Sequence, residues 1–181
     1  MLYKFRELWE QYQSFQRRLD VGAKTLLLEE GQRSEHYIYI EKGAVRTYFN
    51  NNGEDKTVQF FFEGEGLMAI ESFMNDAPSP IAIETIEPSV LYLLPKPQVL
   101  EMVARLGAQL VPLLVQRQIH YMHEFVSFIR DTPEQRYQQL LTERPQLILR
   151  VPQHYIASYL GISKVHLSRI KSKLAKGKRH F

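Results

Sequence analysis

Val151-Pro-Gln-His-Tyr-Ile-Ala-Ser-Tyr-Leu-Gly-Ile-Ser-Lys-Val-His-Leu-Ser-Arg-Ile-Lys-Ser-Lys-Leu174 reads as two short helices broken by a turn. Gln153–Tyr159 is the first. Gly161 stands where the chain must turn sharply, and glycine takes positive φ at no steric cost. Ser163 suits the N-cap of the next helix, since its hydroxyl accepts from a free backbone N–H. The second helix runs from about Lys164 to Leu174. Ile156, Leu160, Ile162, Leu167, Ile170 and Leu174 form the apolar inside of the pair, and Ala157 is small where the two helices approach. This is a helix-turn-helix layout.

The outer face of the second helix carries Lys164, His166, Ser168, Arg169, Lys171 and Lys173. In such a motif the start of the second helix enters the major groove of duplex DNA. Arginine binds guanine O6 and N7 with two hydrogen bonds, and lysine reaches the same atoms or phosphate. Lys164, His166 and Arg169 are therefore the candidates for base edges. Ser163, Ser168, Lys171, Lys173 and Gln153 are candidates for phosphate contacts. The competing interpretation is a solvated face on an ordinary helical hairpin.

Charge distribution favours a polyanion partner. The chain has 23 Lys+Arg against 20 Asp+Glu, a net charge of +3. The last acid is Glu143. Beyond it stand Arg144, Arg150, Lys164, Arg169, Lys171, Lys173, Lys176, Lys178 and Arg179, leaving 14 of the 23 basic residues to face all 20 acids in the first 143 positions. A basic end on an acidic body points to nucleic acid at that end only, with a basic solvated tail as the alternative. The chain has no cysteine, which excludes disulfides, thiolate metal sites and cysteine-held iron–sulfur clusters. The first 20 residues lack a signal-type apolar core, and no apolar run is expected to span a bilayer. The expectation is a cytoplasmic protein without membrane contact.

Working outward, Tyr3 to Leu19 has helical spacing through Phe5, Leu8, Trp9, Tyr12, Phe15 and Leu19. Six β-type runs follow: Thr25–Leu28, Tyr37–Ile40, Val45–Phe49, Thr57–Phe62, Ile81–Ile86 and Val90–Leu94. Gly31, Gly43, Asn50-Asn51-Asn52-Gly53, Gly64/Gly66 and Pro78-Ser79-Pro80 separate them, the pattern of a barrel or sandwich. Gln98 to Arg130 is helical again, with a break at Gly107 and a long helix from near Val111. Leu110, Leu113, Leu114, Ile119, Met122, Phe125, Val126, Phe128 and Ile129 make that helix apolar on two sides. Such a helix needs two things to pack against: its own β domain and, for the other side, the same helix of a second subunit. Burial within one monomer is the alternative. Asp131-Thr132-Pro133 stops one helix and starts another over Glu134–Thr142, and Gln146–Val151 reads as a short strand.

Together these features resemble the cyclic-AMP-receptor/fumarate-nitrate-regulator (Crp/Fnr) superfamily, in particular a subgroup common in Bacteroidetes-type bacteria. The resemblance rests on Leu28-Glu-Glu-Gly31, on Tyr37-Ile-Tyr-Ile-Glu-Lys-Gly-Ala-Val-Arg46, and on Val151 to Ser163 with Leu167-Ser-Arg169. It implies an α+β fold in three parts. Residues 1–106 would be a cyclic-nucleotide-binding-like β-roll sensor, 107–130 a dimerisation helix, and 131–181 a winged helix-turn-helix that binds DNA. It further implies a homodimeric transcription regulator on a two-fold-symmetric operator, with RNA polymerase a further partner open to such a regulator. Lys164, Val165 and Arg169 fall where relatives carry base-reading residues; Val165, being apolar, suits a thymine methyl group.

The sequence departs from that pattern in the later β-roll. Cyclic-nucleotide-binding members resemble Gly-Glu-Leu followed by Arg-Ser/Thr-Ala; here the stretch is Gly66-Leu-Met-Ala-Ile-Glu-Ser-Phe-Met-Asn-Asp-Ala-Pro-Ser-Pro-Ile81. Ser79 stands about where the arginine would be. No Lys, Arg or His lies between Lys56 and Lys96, whereas Glu63, Glu65, Glu71, Asp76, Glu84 and Glu87 are acidic. A phosphodiester there would lack a charge-assisted partner, so control by cyclic AMP is not expected unless Arg46 or a partner chain supplies the charge. No cofactor is expected, and an effector, if any, is unidentified. His120, His123 and Glu124 have metal-ligand spacing on the long helix, but such residues more often sit solvated or at a polar layer of a seam. An enzyme is not expected, because the β region has only His36 and neither a nucleophile elbow nor a Walker A pattern occurs. A β-roll that binds a small ligand, with weak or vestigial DNA binding, is the rival function.

Overall fold

The computed structural model describes residues 9–177. All six expected strands form, within two four-stranded sheets. One has the order β1 (Arg17–Val21), β8 (Ser89–Pro95), β3 (His36–Lys42), β6 (Gly66–Leu67); the other runs β2 (Leu26–Leu28), β7 (Ala82–Thr85), β4 (Val45–Asn51), β5 (Glu54–Phe61). Alternation explains the pairing. Ile38 and Ile40 on β3 lie opposite Leu93 and Leu91 on β8. All four are buried with Val45, Phe61, Leu67 and Ile83 in one apolar cluster. The β4–β5 turn is Asn52-Gly53, both at positive φ, with the Gly53 N–H donating to Asn50 Oδ1 at 2.9 Å. This two-residue geometry matches strand twist, which is why Asn-Gly serves there.

Two expectations are corrected. The helix projected to Leu19 ends early: 9–11 are helical (α1), Gln13–Phe15 form a 3-10 turn, and Arg17–Val21 is a strand against Val21↔Ser89 through Arg17↔Leu93. Leu19 and Val21, two apart, pack against the core while Asp20 between them is exposed, so period-two burial on β8 overrides the helical spacing. The part of that expectation from Tyr3 to Leu8 lies outside the described residues. The strand expected at Gln146–Val151 is instead helix α6, Pro145–Arg150. Pro145 fits a first turn, and Leu147 and Val151, four apart, are both buried. A strand there would need a partner, whereas a helix satisfies its own backbone. The structure adds two elements the sequence reading lacked, β6 and the short helix α2, Ile70–Asn75.

Helix α3 (Lys96–Leu106) buries Val99, Met102 and Leu106 against Tyr12, Phe73 and Leu94. A 3-10 turn at Gly107–Leu110 precedes α4, Val111–Arg130, which starts and stops where expected. Residues 96–130 contain an 18-residue window of mean hydropathy 1.4, long and apolar enough on composition alone to cross a membrane. That amends the expectation that no run approaches this length. The turn at Gly107 interrupts it, and the side chains bear on assembly below.

The described chain groups into two units: the segment through Thr47 with Phe60–Met122, and Tyr48–Gln59 with the chain from His123. The tip of the β4–β5 hairpin thus belongs with the C-terminal helices. Ser158 secures it: its Oγ donates to the Asp55 carbonyl at 2.8 Å and accepts from the Thr57 N–H at 2.9 Å.

Candidate nucleic-acid interface

The C-terminal unit is built from the end of α4, α5 (Pro133–Glu143), α6, α7 (Gln153–Tyr159) and α8 (Lys164–Gly177). Helix α5 opens with a capping box: Thr132 and Gln135 satisfy each other's backbone N–H groups, with Pro133 in the first turn. Tyr137, Leu140, Leu147, Tyr155, Ile156, Leu160, Leu167 and Ile170 are buried. Ile162 and Leu174 are half-buried, and Ala157 is fully enclosed. Arg136 donates to the Leu160 carbonyl at 2.9 Å and lies 4.4 Å from the centre of the Phe128 ring. Its burial pushes the guanidinium below its ordinary pKa. The Tyr159 hydroxyl donates to Glu124 at 2.8 Å, and burial beside that carboxylate drives the phenol well above its usual range.

The turn between α7 and α8 has the expected chemistry. Gly161 sits at φ +70°, where a Cβ would meet only the Phe128 ring at 3.5 Å, an ordinary contact; conformation rather than crowding calls for glycine there. Ser163 caps α8, its Oγ accepting from the His166 N–H at 3.2 Å.

That cap aims one face of α8 outward. Lys164, Val165, His166, Ser168, Arg169 and Lys173 are exposed, as are Ser163 and Gln153 at the starts of their helices. Lys171 is half-buried. Two residues join the face that the sequence reading passed over. Ser172 lies seven after Val165 and Lys176 seven after Arg169, and both are exposed. Spacing along a helix could have found them. No acid occurs between Lys164 and Gly177. Among the described residues, Lys164, Arg169, Lys171 and Lys176 have no ion-pair partner, whereas Lys173 Nζ lies 2.8 Å from Glu134 Oε2 on α5. Glu134, Ser163, Val165, His166, Arg169, Ile170 and Lys173 line an open cleft of about 440 Å3. This is a ridge of donors beside a hollow, suited to the floor and edges of a nucleic-acid groove. A wing after α8 would fall beyond Gly177, outside the described residues.

Residues 18–106 match the family model of the cyclic nucleotide-binding domain. Solved structures of similar fold include Crp/Fnr-family regulators. FixK2 from Bradyrhizobium japonicum aligns with TM-score 0.75 and 19% identity, over 90% of this chain and 86% of that one. The c-di-GMP responsive global regulator CLP of Xanthomonas campestris aligns with TM-score 0.73 and 15% identity, over 96% and 93%. The catabolite activator protein of Thermus thermophilus gives 0.54 and 19%, over 95% and 84%. At these identities the likeness is one of fold. No curated protein matches the sequence.

Within the cyclic nucleotide-binding-type roll, the stretch that would hold a phosphate is filled by its own bonds. Ser79 is buried, and its hydroxyl donates to the Ile81 carbonyl at 2.6 Å. Ser72 Oγ accepts from the Ser34 N–H and donates to the Ala77 carbonyl. A Cβ on Gly66 would overlap the Tyr37 hydroxyl, so that space is taken by the ring. Arg46 is 1% exposed and paired with Glu84 at 3.0 Å. Glu63 accepts from the Gly43 N–H and Glu65 from the Phe62 N–H. On the long helix Glu124 is engaged by Tyr159, and no group of three metal-capable side chains converges among the described residues.

Proposed function

We propose that this chain is a sequence-specific DNA-binding transcription regulator, acting as a cytoplasmic homodimer on a two-fold-symmetric operator and not controlled by cyclic AMP. The observation that carries the reading is the exposed, acid-free face of α8, held outward by the Ser163 cap and the Gly161 turn. In use, Arg169 and Lys164 would read guanine edges, with His166 beside them and Val165 against a thymine methyl. Ser163, Ser168, Lys171, Gln153, Ser172 and Lys176 would fix the register on phosphates. Their assignment extends the resemblance in residues 131–181, while 1–106 serves as sensor or support.

Support for the homodimer comes from α4. Val115, Ile119, Met122, Val126 and Ile129 follow alternating steps of four and three residues, and all are between 41% and 69% exposed in the single chain. That is a heptad seam, with β-branched Ile119 and Val126 at alternate core positions as parallel pairs favour. Two subunits joined this way would present two α8 helices to half-sites about one helical turn, roughly 34 Å, apart. Support for independence from cyclic AMP comes from Arg46, committed to Glu84, and from the self-bonded Ser79 stretch. A desolvated phosphodiester would find no free cation there.

The test is a fluorescence-anisotropy titration of the purified protein against random-sequence duplex DNA at two salt concentrations, with and without cyclic AMP. On arbitrary duplex Lys164 and Arg169 fall on phosphates beside Lys171 and Lys176, so a dimer presenting about eight cations should lose roughly 10³–10⁵ in affinity between about 50 and 200 mM salt, since each neutralised phosphate releases counterions. Cyclic AMP should change nothing. Binding that appears only with cyclic AMP overturns the independence; no binding under any condition overturns the DNA reading and favours a small-ligand roll.

A further inference from the structure

The cleft beside α8 contains one acid among its donors. Glu134 occupies the first turn of α5, and its carboxylate sits 2.8 Å from Lys173. Lys173 is the one cation of α8 with an ion-pair partner among the described residues, and its side chain is 70% exposed against 29% for Glu134. Its pairing is therefore not forced by burial. A carboxylate in a hollow shared with His166 and Arg169 also places negative charge where DNA phosphates would approach.

Resting on the DNA-binding reading, we infer that Glu134 sets the strength of sequence-independent binding: it holds Lys173 neutralised and keeps it from the phosphate backbone. The physical argument is counterion release. A lysine already paired with a carboxylate carries no net charge to the DNA, so it displaces no condensed cation, whereas a free lysine contributes about 0.9 to the slope of log affinity against log salt. Glu134 thereby lowers affinity for arbitrary duplex without touching Lys164 or Arg169, the proposed base readers. Because a phosphate contact is common to every duplex and the base contacts are untouched, affinity is lowered about equally for a specific site and for bulk DNA. Lys173 is thus removed from the phosphate contacts expected from sequence.

The experiment measures salt slopes on random-sequence duplex for the full chain, Glu134→Gln and the double variant Glu134→Gln/Lys173→Gln. Glu134→Gln should bind more tightly and steepen the slope by about 0.9 per protomer, so that its advantage shrinks about three- to fourfold per protomer between about 50 and 200 mM salt. The double variant should return to the parental slope, since the pair it removes is net neutral. If Lys173 already contacts phosphate, Glu134→Gln leaves the slope unchanged and the double variant falls below the parent by about 0.9 per protomer, which overturns the inference. A purely structural role for Glu134 as a first-turn acid would appear in thermal stability with no change in slope, which also overturns it. If the parent chain binds no DNA at either salt, the DNA-binding reading itself has failed, an outcome distinct from parental binding with unaltered slopes.

Discussion

Ile119→Ser tests the assembly on which a two-fold operator depends. Ile119 is 50% exposed in the single chain and sits mid-seam on α4. Fully burying an isoleucine is worth about 1.5–3 kcal/mol, so covering the exposed half accounts for about 0.8–1.5 kcal/mol per subunit. Both copies change in a homodimer, which makes the loss about 1.5–3 kcal/mol and raises the dimer dissociation constant roughly 10- to 150-fold. The subunit itself should fold as before, because the side chain removed is not part of its own buried core. Sedimentation velocity across nanomolar to micromolar protein reads the shift directly. His120→Ser, exposed on the same helix and turned well away from the seam, is the control and should leave assembly unchanged. A parent chain that stays monomeric at micromolar concentration, or equal effects from the two substitutions, would refute the seam.

Two further outcomes follow from the C-terminal unit. Ser158→Ala removes both the bond from the Thr57 N–H and the bond to the Asp55 carbonyl, at a cost of about 1–3 kcal/mol. Hydrogen exchange at the Thr57 amide should then accelerate, with Ser158→Thr restoring protection; unchanged exchange would show that the contact does not hold the tip. Asp131 accepts from Arg130 at 2.7 Å and from the Ser127 hydroxyl at 2.8 Å, and these bonds lower its carboxyl to about 2. Because the folded value is depressed, the stabilisation is complete above the ordinary carboxylate range near about pH 4 and is lost as pH falls toward about 2. Asp131→Asn should flatten acid unfolding in that window and nowhere else; an identical acid limb in the variant counts against the junction bonds.

Much of the fold was legible because its signals are local. Alternation and turn residues located the six strands, and Thr132, Gly161 and Ser163 announced helix ends by their own chemistry. What was missed depends on distant partners. Arg17–Val21 carries apolar residues that continue a helical spacing, and only pairing with β8, some 70 residues on, makes it a strand. Leu147-Ile148-Leu149 is a short apolar run, ambiguous between strand and helix by periodicity alone, and Pro145 with the buried Leu147–Val151 pair decides it. At the interface, the outward face of α8 was readable from composition, and helical spacing would have added Ser172 and Lys176. The pairing of Lys173 with Glu134 was not readable, because 39 residues separate them and only tertiary folding brings α5 beside α8.

The hairpin tip has a consequence for how the molecule is made. Thr57 leaves the ribosome 101 residues before Ser158, an interval of about 5–20 s at ordinary elongation rates. Through that interval the strands that carry the tip can be completed, yet the two hydrogen bonds with Ser158 must wait for nascent chain still unmade. The C-terminal helices are therefore not a cassette that could be cut at one peptide bond and transplanted. A graft of 123–181 onto another sensor would lose the twelve-residue segment from Tyr48 to Gln59 that completes its unit. Recombination that exchanged C-terminal segments between relatives would have to carry a compatible hairpin with them.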